Sequence, residues 1–227
     1  MKAILCLESS TEACSVGLVS EGDEFIIREH SGGDHLIYLN TFIRELLAEA
    51  SYQIQDIDSI AVAKGPGSFT SLRAGLATAK ALCFALNKPL ILISSLEALA
   101  WGAQECFGKA PNYVALMDAR KTGVYSGIYD VQLNEIYPPN YIDLDHIPVE
   151  YIDKLEAGSQ IIGNGVFKWP EKKLVKPNNI HPLSNSARWL RKLAIQKFKT
   201  KSFENLDTAV PFYIREANIT TPKPKLV

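Results

Sequence analysis

Metal-binding and disulfide patterns are missing from this sequence. Its four cysteines, Cys6, Cys14, Cys83 and Cys106, form no CxxC pair and lie inside apolar runs. Neither a zinc site nor a disulfide framework is therefore predicted, and all four are expected to be buried thiols. The histidines, His30, His35, His146 and His181, are dispersed and form no close ligand pair, which disfavours metal catalysis. There is no HExxH, no GxSxG nucleophile elbow and no Walker A loop, which needs Lys and then Ser or Thr after its last Gly. Long apolar runs are lacking too: the longest, from Ala74 to Trp101, is cut by Lys80, Asn87 and Lys88-Pro89, too interrupted for a membrane span. Only Ala3 to Leu7 separate Lys2 from Glu8, too few for the apolar region of a secretory signal. A cytoplasmic protein without membrane contact is expected.

What is present suits a folded chain of one large domain or two small lobes: 227 residues, 47% hydrophobic and 22% charged. The net charge of -1 conceals an asymmetry. Residues 1–167 carry 11 basic and 21 acidic side chains (-10), whereas residues 168–227 carry 13 and 4 (+9). A basic segment of this kind fits RNA, an acidic partner or simply solvent.

Ala3–Leu7, Cys14–Val19 and Glu24–Arg28 read as three strands separated by polar turns. From Leu36, the residues Leu39, Ile43, Leu46, Leu47 and Ala50 recur at helical spacing, with Asp34 available as a cap. Ser59–Ala63 is β-like and ends at Gly65-Pro66-Gly67, after which Ser68 is placed to cap a long helix to about Leu86. Pro89–Ile93 is the next strand. The second half repeats the order: strands at Tyr113–Met117, Val124–Tyr129 and about Glu135–Tyr141, a short helix at Val149–Leu155, a strand at Gln160–Ile162 and a final helix over about Asn185–Lys199. A duplicated β-β-β-α-β-α unit predicts a mixed α/β protein of two ribonuclease-H-like lobes, the arrangement of the actin, sugar-kinase and heat-shock ATPase superfamily. The lobes are expected over residues 1–106 and 107–227, with the last segment packing back on the first.

In such lobes a carboxylate stands at the end of each first strand, here Glu8 and Asp118. Oxygen ligands there suit a hydrated magnesium ion beside a nucleotide, although both side chains can equally cap local turns. Gly65, Gly67 and Ser68 join a strand to a helix, where free N–H groups can receive an anion. Gly163-Asn164-Gly165 is a second small loop that would let a nucleotide approach the backbone, or else an ordinary turn. The helix from Phe69 to Leu86 is apolar nearly all round, charged only at Arg73 and Lys80. One stripe, including Leu72, Leu76, Ala79 and Cys83, suits the sheet, while Ala74, Ala77 and Ala81 form a smooth second face. With Ile37, Tyr38 and Phe42 of the preceding helix, that face predicts either a subunit interface or complete burial.

Four motifs occur in order along the chain. They are Glu12-Ala13-Cys14-Ser15-Val16, Lys64-Gly65-Pro66-Gly67-Ser68-Phe69-Thr70-Ser71-Leu72-Arg73-Ala74-Gly75, Met117-Asp118-Ala119-Arg120 and Pro211-Phe212-Tyr213-Ile214-Arg215. On them the sequence resembles the bacterial TsaB (YeaZ) family over essentially its whole length. The resemblance implies a two-lobed fold and a role in making threonylcarbamoyladenosine beside the anticodon of tRNAs. In that family the subunit is a partner and not the catalyst: it pairs with its paralogue TsaD, which carries the metal and transfers the threonylcarbamoyl group, while TsaE is the associated ATPase. TsaD-like proteins place an HxxxH metal pair after the strand that follows the glycine-rich helix, and here Ser95 and Leu99 stand at those positions. The partner face it implies comprises Tyr38, Phe42, Leu46, Ser71, Ala74, Gly75, Ala77, Thr78 and Ala81, and the same helices would serve a homodimer of the free chain. Ser71 stands where Gly is common in the family, and Glu8 where Asp is common. No catalytic residue, metal or obligatory cofactor is expected, only weak or interface-dependent nucleotide binding at Glu8, Gly65, Gly67, Ser68 and Asp118. Arg188, Arg191, Lys192 and Lys199 offer a direct tRNA contact. The alternative is a stand-alone ATP-dependent phosphotransferase of the same superfamily; a protease ranks last, without nucleophile elbow or metal pair.

Overall fold

In the computed structural model, which describes residues 1–20, 22, 24–32, 34–169 and 179–215, each half of the chain builds one five-stranded sheet. Strands β1 (Ala3–Glu8), β2 (Ala13–Ser20) and β3 (Phe25–Ser31) form an antiparallel meander. Helix α1 (His35–Glu49) then leads to β4 (Ile57–Gly65), and α2 (Phe69–Leu86) to β5 (Leu90–Ser94). Both of these strands run parallel to β1, so the sheet order is β3-β2-β1-β4-β5. The second sheet repeats it. Strands β6 (Asn112–Asp118), β7 (Gly123–Asp130) and β8 (Glu135–Asp143) are antiparallel, and β9 (Gln160–Ile162) and β10 (Ile180–His181) extend the other side in parallel. The order β8-β7-β6-β9-β10 matches the first sheet strand for strand, so the duplicated ribonuclease-H-like reading holds.

β1 runs through a sheet that is covered on both faces. All six of its residues are buried, as expected for a strand covered on both faces. Leu5 and Leu7 alternate toward α1 and α2, where they meet Leu39, Leu46, Val62 and Leu76. Ile4 and Cys6 point the other way, toward Leu190, Leu193 and Ala194 of α5 (Ala187–Lys199). Helix α5 thus belongs to the second half by sequence and covers the first sheet. Helix α3 (Ser95–Phe107), which the sequence reading did not anticipate, makes the reverse move: its Leu96, Leu99 and Ala103 pack on Tyr113, Ala115 and Met117 of β6. The two exchanged helices meet at Gly102, where a Cβ would lie 2.6 Å from the Trp189 ring. A glycine in mid-helix forfeits about 0.5–1 kcal/mol, and here it makes room for an indole that donates to the Ser184 carbonyl at 2.9 Å.

Several local expectations need correction. Asp34 precedes α1 in the left-handed conformation (φ 54) and makes no side-chain cap hydrogen bond. The Ser68 hydroxyl likewise bonds no backbone N–H of α2 and instead accepts from the Ser71 hydroxyl at 3.0 Å. The short helix α4 stops after one turn, Val149–Ile152. Cys6, Cys14 and Cys83 are buried, and burial pushes their thiols up to about 12, but Cys106 is exposed. Among the described residues no helix is long and apolar enough to cross a membrane.

Candidate functional site

The expected partner face divides into a buried and an exposed part. Leu46 and Phe42 sit in the core between α1, α2 and the first sheet. Gly75 faces β1 so closely that a Cβ would fall 2.1 Å from the Ser9 hydroxyl, and the buried Ser71 accepts that hydroxyl on its carbonyl at 2.9 Å. These four residues therefore set how α1 and α2 lie on the sheet, and they present no surface. Ala77 and Ala81 are exposed, Ala74, Thr78 and Tyr38 are half-buried, and Tyr38 is held by stacking on His30 at 3.8 Å. Phe84, which sequence reasoning missed, is 83% exposed beside Ala77 and Ala81, and Ile37 on α1 is 65% exposed. At 100° per residue Ala74, Ala77, Ala81, Phe84 and Ala85 share one side of α2, a row without a single charge. Its signal was in the sequence: residues 84 and 85 continue the small-residue face one turn further.

The end of β1 is closed rather than open. Glu8 is 0% exposed; its Oε1 accepts the Ser10 N–H at 2.6 Å and its Oε2 is buried without a partner, as is the Ser10 hydroxyl. Burial pushes the Glu8 carboxyl above the usual carboxylate range, against the opposing pull of the hydrogen bonds from Ser10 and Ser9. A carboxyl so enclosed has no room for a hydrated magnesium ion. The neighbouring glycine loop is spent on the same turn. The Ser68 N–H donates to the Ser10 carbonyl at 2.7 Å, and a Cβ on Gly67 would lie 2.2 Å from that oxygen. Thus the anion position suggested by Gly65, Gly67 and Ser68 holds a carbonyl of the chain itself.

In the second half, the exposed Asp118 accepts from Lys168 Nζ at 2.7 Å and from the Arg120 N–H at 2.6 Å. Gly163 and Gly165 are explained by close approach to β6: a Cβ at Gly163, whose φ is 111°, would lie 2.0 Å from the Leu116 carbonyl oxygen, and one at Gly165 3.0 Å from Leu116. Their hydrogens face a strand, so close packing on β6 accounts for both glycines. Glu8 and Asp118 thus sit at equivalent strand ends in different environments, one sealed and one ion-paired. Among the described residues no group of three His, Cys, Asp or Glu side chains is arranged to hold a metal ion. Ser95 and Leu99 are both buried, Leu99 within the α3–β6 core.

The motif Pro211–Arg215 was visible in the sequence, but its place was not. After α5 the chain crosses the edge of the first sheet, where the Glu204 N–H donates to the Leu90 carbonyl at 2.9 Å. It then runs along α2, with Lys80 Nζ bonded to the Ala209 carbonyl at 3.1 Å, and reaches the glycine loop, where the Phe212 N–H donates to the Lys64 carbonyl at 2.7 Å. Tyr213 stacks on Phe69 at 3.9 Å and accepts from Arg73 Nε at 3.0 Å. Arg215 lies over the Tyr141 ring of β8 at 4.3 Å, so this strap ties the start of α2 to the second sheet. The predicted cations divide as well: Arg191 pairs with Glu105 at 3.1 Å and is 20% exposed at its side chain, whereas Arg188, Lys192 and Lys199 lie at the surface.

Residues 26–219 match the family model for TsaD, tRNA N6-adenosine threonylcarbamoyltransferase. The tRNA threonylcarbamoyladenosine biosynthesis protein TsaB of Buchnera aphidicola subsp. Schizaphis graminum is 31% identical over 187 residues, 77% of this chain and 88% of that protein. TsaB of Haemophilus influenzae is 40% identical over 122 residues, so there the match spans about half of each, 54% of this chain and 51% of the relative. Among solved structures, YeaZ from Pseudomonas aeruginosa superposes with a TM-score of 0.82 at 29% identity, over 94% of this chain and all of that one.

Proposed function

The chain belongs to the TsaB (YeaZ) family, and from that premise we propose that it serves tRNA threonylcarbamoyladenosine biosynthesis as a non-catalytic scaffold. In this reading it pairs with TsaD, stabilises it and helps to build the place where TsaE docks. The observation that carries the reading is the outer side of α2. Ala77, Ala81 and Phe84 stand exposed in a charge-free row beside Ile37. Exposed apolar surface of this kind on paired helices is suited to a partner helix, because small side chains allow close approach and an aromatic ring supplies buried area. The same surface would bring two free chains together when TsaD is absent.

Two further features support an accessory role. Where TsaD-like proteins carry their paired histidines this chain has Ser95 and Leu99, and a leucine in the core has no lone pair for a metal. The first-strand carboxyl, Glu8, is enclosed and its neighbouring loop is filled by Ser10. These features also weigh against the alternative of a stand-alone phosphotransferase, which needs an accessible carboxylate beside bound nucleotide.

The test is size-exclusion chromatography with light scattering on the chain alone and mixed with TsaD from the same organism, comparing wild type with Ala77→Glu. Ala77 is exposed, so the substitution is expected to leave the fold intact while burying a charge in any interface. A heterodimer formed by wild type and lost in the variant is expected. No complex with TsaD, or turnover of threonylcarbamoyl-adenylate onto tRNA by the chain alone, would sink the scaffold reading.

A further inference from the structure

We propose that the outward side of α5 is an RNA-binding surface that meets the phosphate backbone of tRNA through Arg188, Lys192 and Lys199, an inference that rests on the chain's role in tRNA modification. Helix α5 carries five cations and no carboxylate in thirteen residues. Positions 188, 192 and 199 are spaced i, i+4 and i+11, which at 100° per residue places them within about 40° of one another along roughly 16 Å of helix. The exposed residues on that side, these three and the neighbouring Gln196, are polar, and Ile195, which falls among them at i+7 from Arg188, is buried. That composition suits a solvated phosphate backbone and gives a lipid bilayer no apolar anchor.

The cations of α5 fall into two groups. Arg191 forms an ion pair with Glu105, and the charge of Lys197 helps to hold the half-buried Glu97 carboxyl down against the upward push of burial. Arg188 lies over the Phe25 ring at 6.0 Å and Lys192 over the Trp101 ring at 5.4 Å, with Glu105 4.0 Å from Lys192 and the Lys192 side chain 48% exposed. Lys199 is exposed, and so is Lys201 just beyond the helix end. Aromatic support of this kind keeps a cation oriented without neutralising it.

Local helix stability accounts for only part of this pattern. Lys197 and Lys199 in the last turn complement the helix dipole, but Arg188 sits in the first turn, where a cation opposes it. The nearby carboxylate of Glu29 is bonded to the Ser186 hydroxyl. The surrounding chain is acidic, -10 over residues 1–167, so any polyanion affinity has to come from a local surface. A phosphate backbone fits a linear row of separated cations, each neutralising one charge and releasing a counterion.

The experiment is a fluorescence-anisotropy titration of labelled tRNA transcript with the full chain, alone and mixed with TsaD, across a range of salt. Wild type is compared with R188A/K192A/K199A and with the charge-preserving R188K/K192R/K199R. The alanine variant is expected to make the slope of log affinity against log salt shallower by about two to three, near one for each phosphate no longer neutralised. The charge-preserving variant is expected to keep the wild-type slope. Equal slopes for wild type and the alanine variant, or no tRNA binding by wild type in either setting at low salt, would overturn the proposal. So would poly-glutamate or anionic vesicles competing as well as unlabelled tRNA, which would assign the face to an acidic protein or a membrane. Ala77→Glu separates the two readings: loss of TsaD pairing with an unchanged slope in the free chain bears on the α2 face alone.

Discussion

The two halves share a strand order and differ in what covers it. The first sheet carries two long helices on one face, α1 of 15 residues and α2 of 18. At the corresponding places the second sheet has α4, a single turn of four residues, and a short 3-10 stretch over Asn164–Lys168. Tyr151 and Val166 from these short pieces, with the adjoining Trp169, close the outer core of the second sheet, and among the described residues they leave no extended helical surface there. In the first half one face of the sheet is covered by the inner stripes of α1 and α2, and the outer side of α2 remains as surplus apolar surface. The surplus apolar face thus belongs to the half with the longer helices, α1 and α2.

Changes at the join between the halves should have the largest effect. Trp189→Ala removes the indole seated against Gly102 and is expected to cost about 3–5 kcal/mol, read by urea denaturation. Because α3 and α5 each complete the other half's core, the loss should appear as one transition common to both halves; two separate transitions would break the comparison. Next, Gly163→Ala, which sets a Cβ against Leu116 at positive φ, is expected to cost about 1–3 kcal/mol, checked by thermal unfolding. The surplus face behaves in the opposite way. Phe84→Ser is expected to change the stability of the free chain by no more than about 0.5 kcal/mol. It should weaken TsaD pairing at least about tenfold, near 1.4 kcal/mol, measured by calorimetric titration.

Glu8 gives a difference that depends on pH. Its folded carboxyl is raised above the ordinary value of 4.5 by burial, so the folded state keeps a proton that the unfolded chain gives up. The stability it contributes is complete below about pH 4.5 and is lost as pH rises through the folded value. Glu8→Gln should therefore flatten the decline of stability with rising pH, and parallel curves for the two proteins would contradict a carboxyl raised by its enclosure. The smallest effect belongs to Tyr213→Phe, which keeps the stack on Phe69 and loses the bond from Arg73. About 0.5–1 kcal/mol is expected from thermal unfolding.

Much of the first half was legible because its signals are local. The 3.6-residue period of Leu39, Ile43, Leu46 and Leu47, and the turn at Gly65-Pro66-Gly67, mark element ends without reference to the rest of the chain. Helix α3 escaped although Ser94 and Glu97 mark its start, with the Ser94 hydroxyl accepting the Glu97 N–H at 3.5 Å, because the two serines are the whole break between the apolar residues of β5 and those of the helix. The apolar stripe of α5 was readable, but periodicity says which side of a helix is buried and not which sheet receives it. The site residues suffered likewise: Glu8 and Asp118 occupy matching strand ends, yet only tertiary packing made one a sealed acid and the other an ion pair with Lys168. Gly163 and Gly165 left a ligand's approach and an ordinary turn both open because glycine marks close approach without saying of what, and the approaching group, the Leu116 backbone, is 47 residues or more away along the chain.

The exchange of α3 and α5 also sets an order in time. A ribosome that has delivered residues 1–106 has made every strand of the first sheet, yet Ile4, Cys6, Ala61 and Ile93 still lack the helix that covers them. About eighty more residues must emerge before Leu190 and Leu193 arrive. Throughout that interval the nascent chain holds an uncovered apolar sheet face, and the first half can reach its final packing only after α5 has been made.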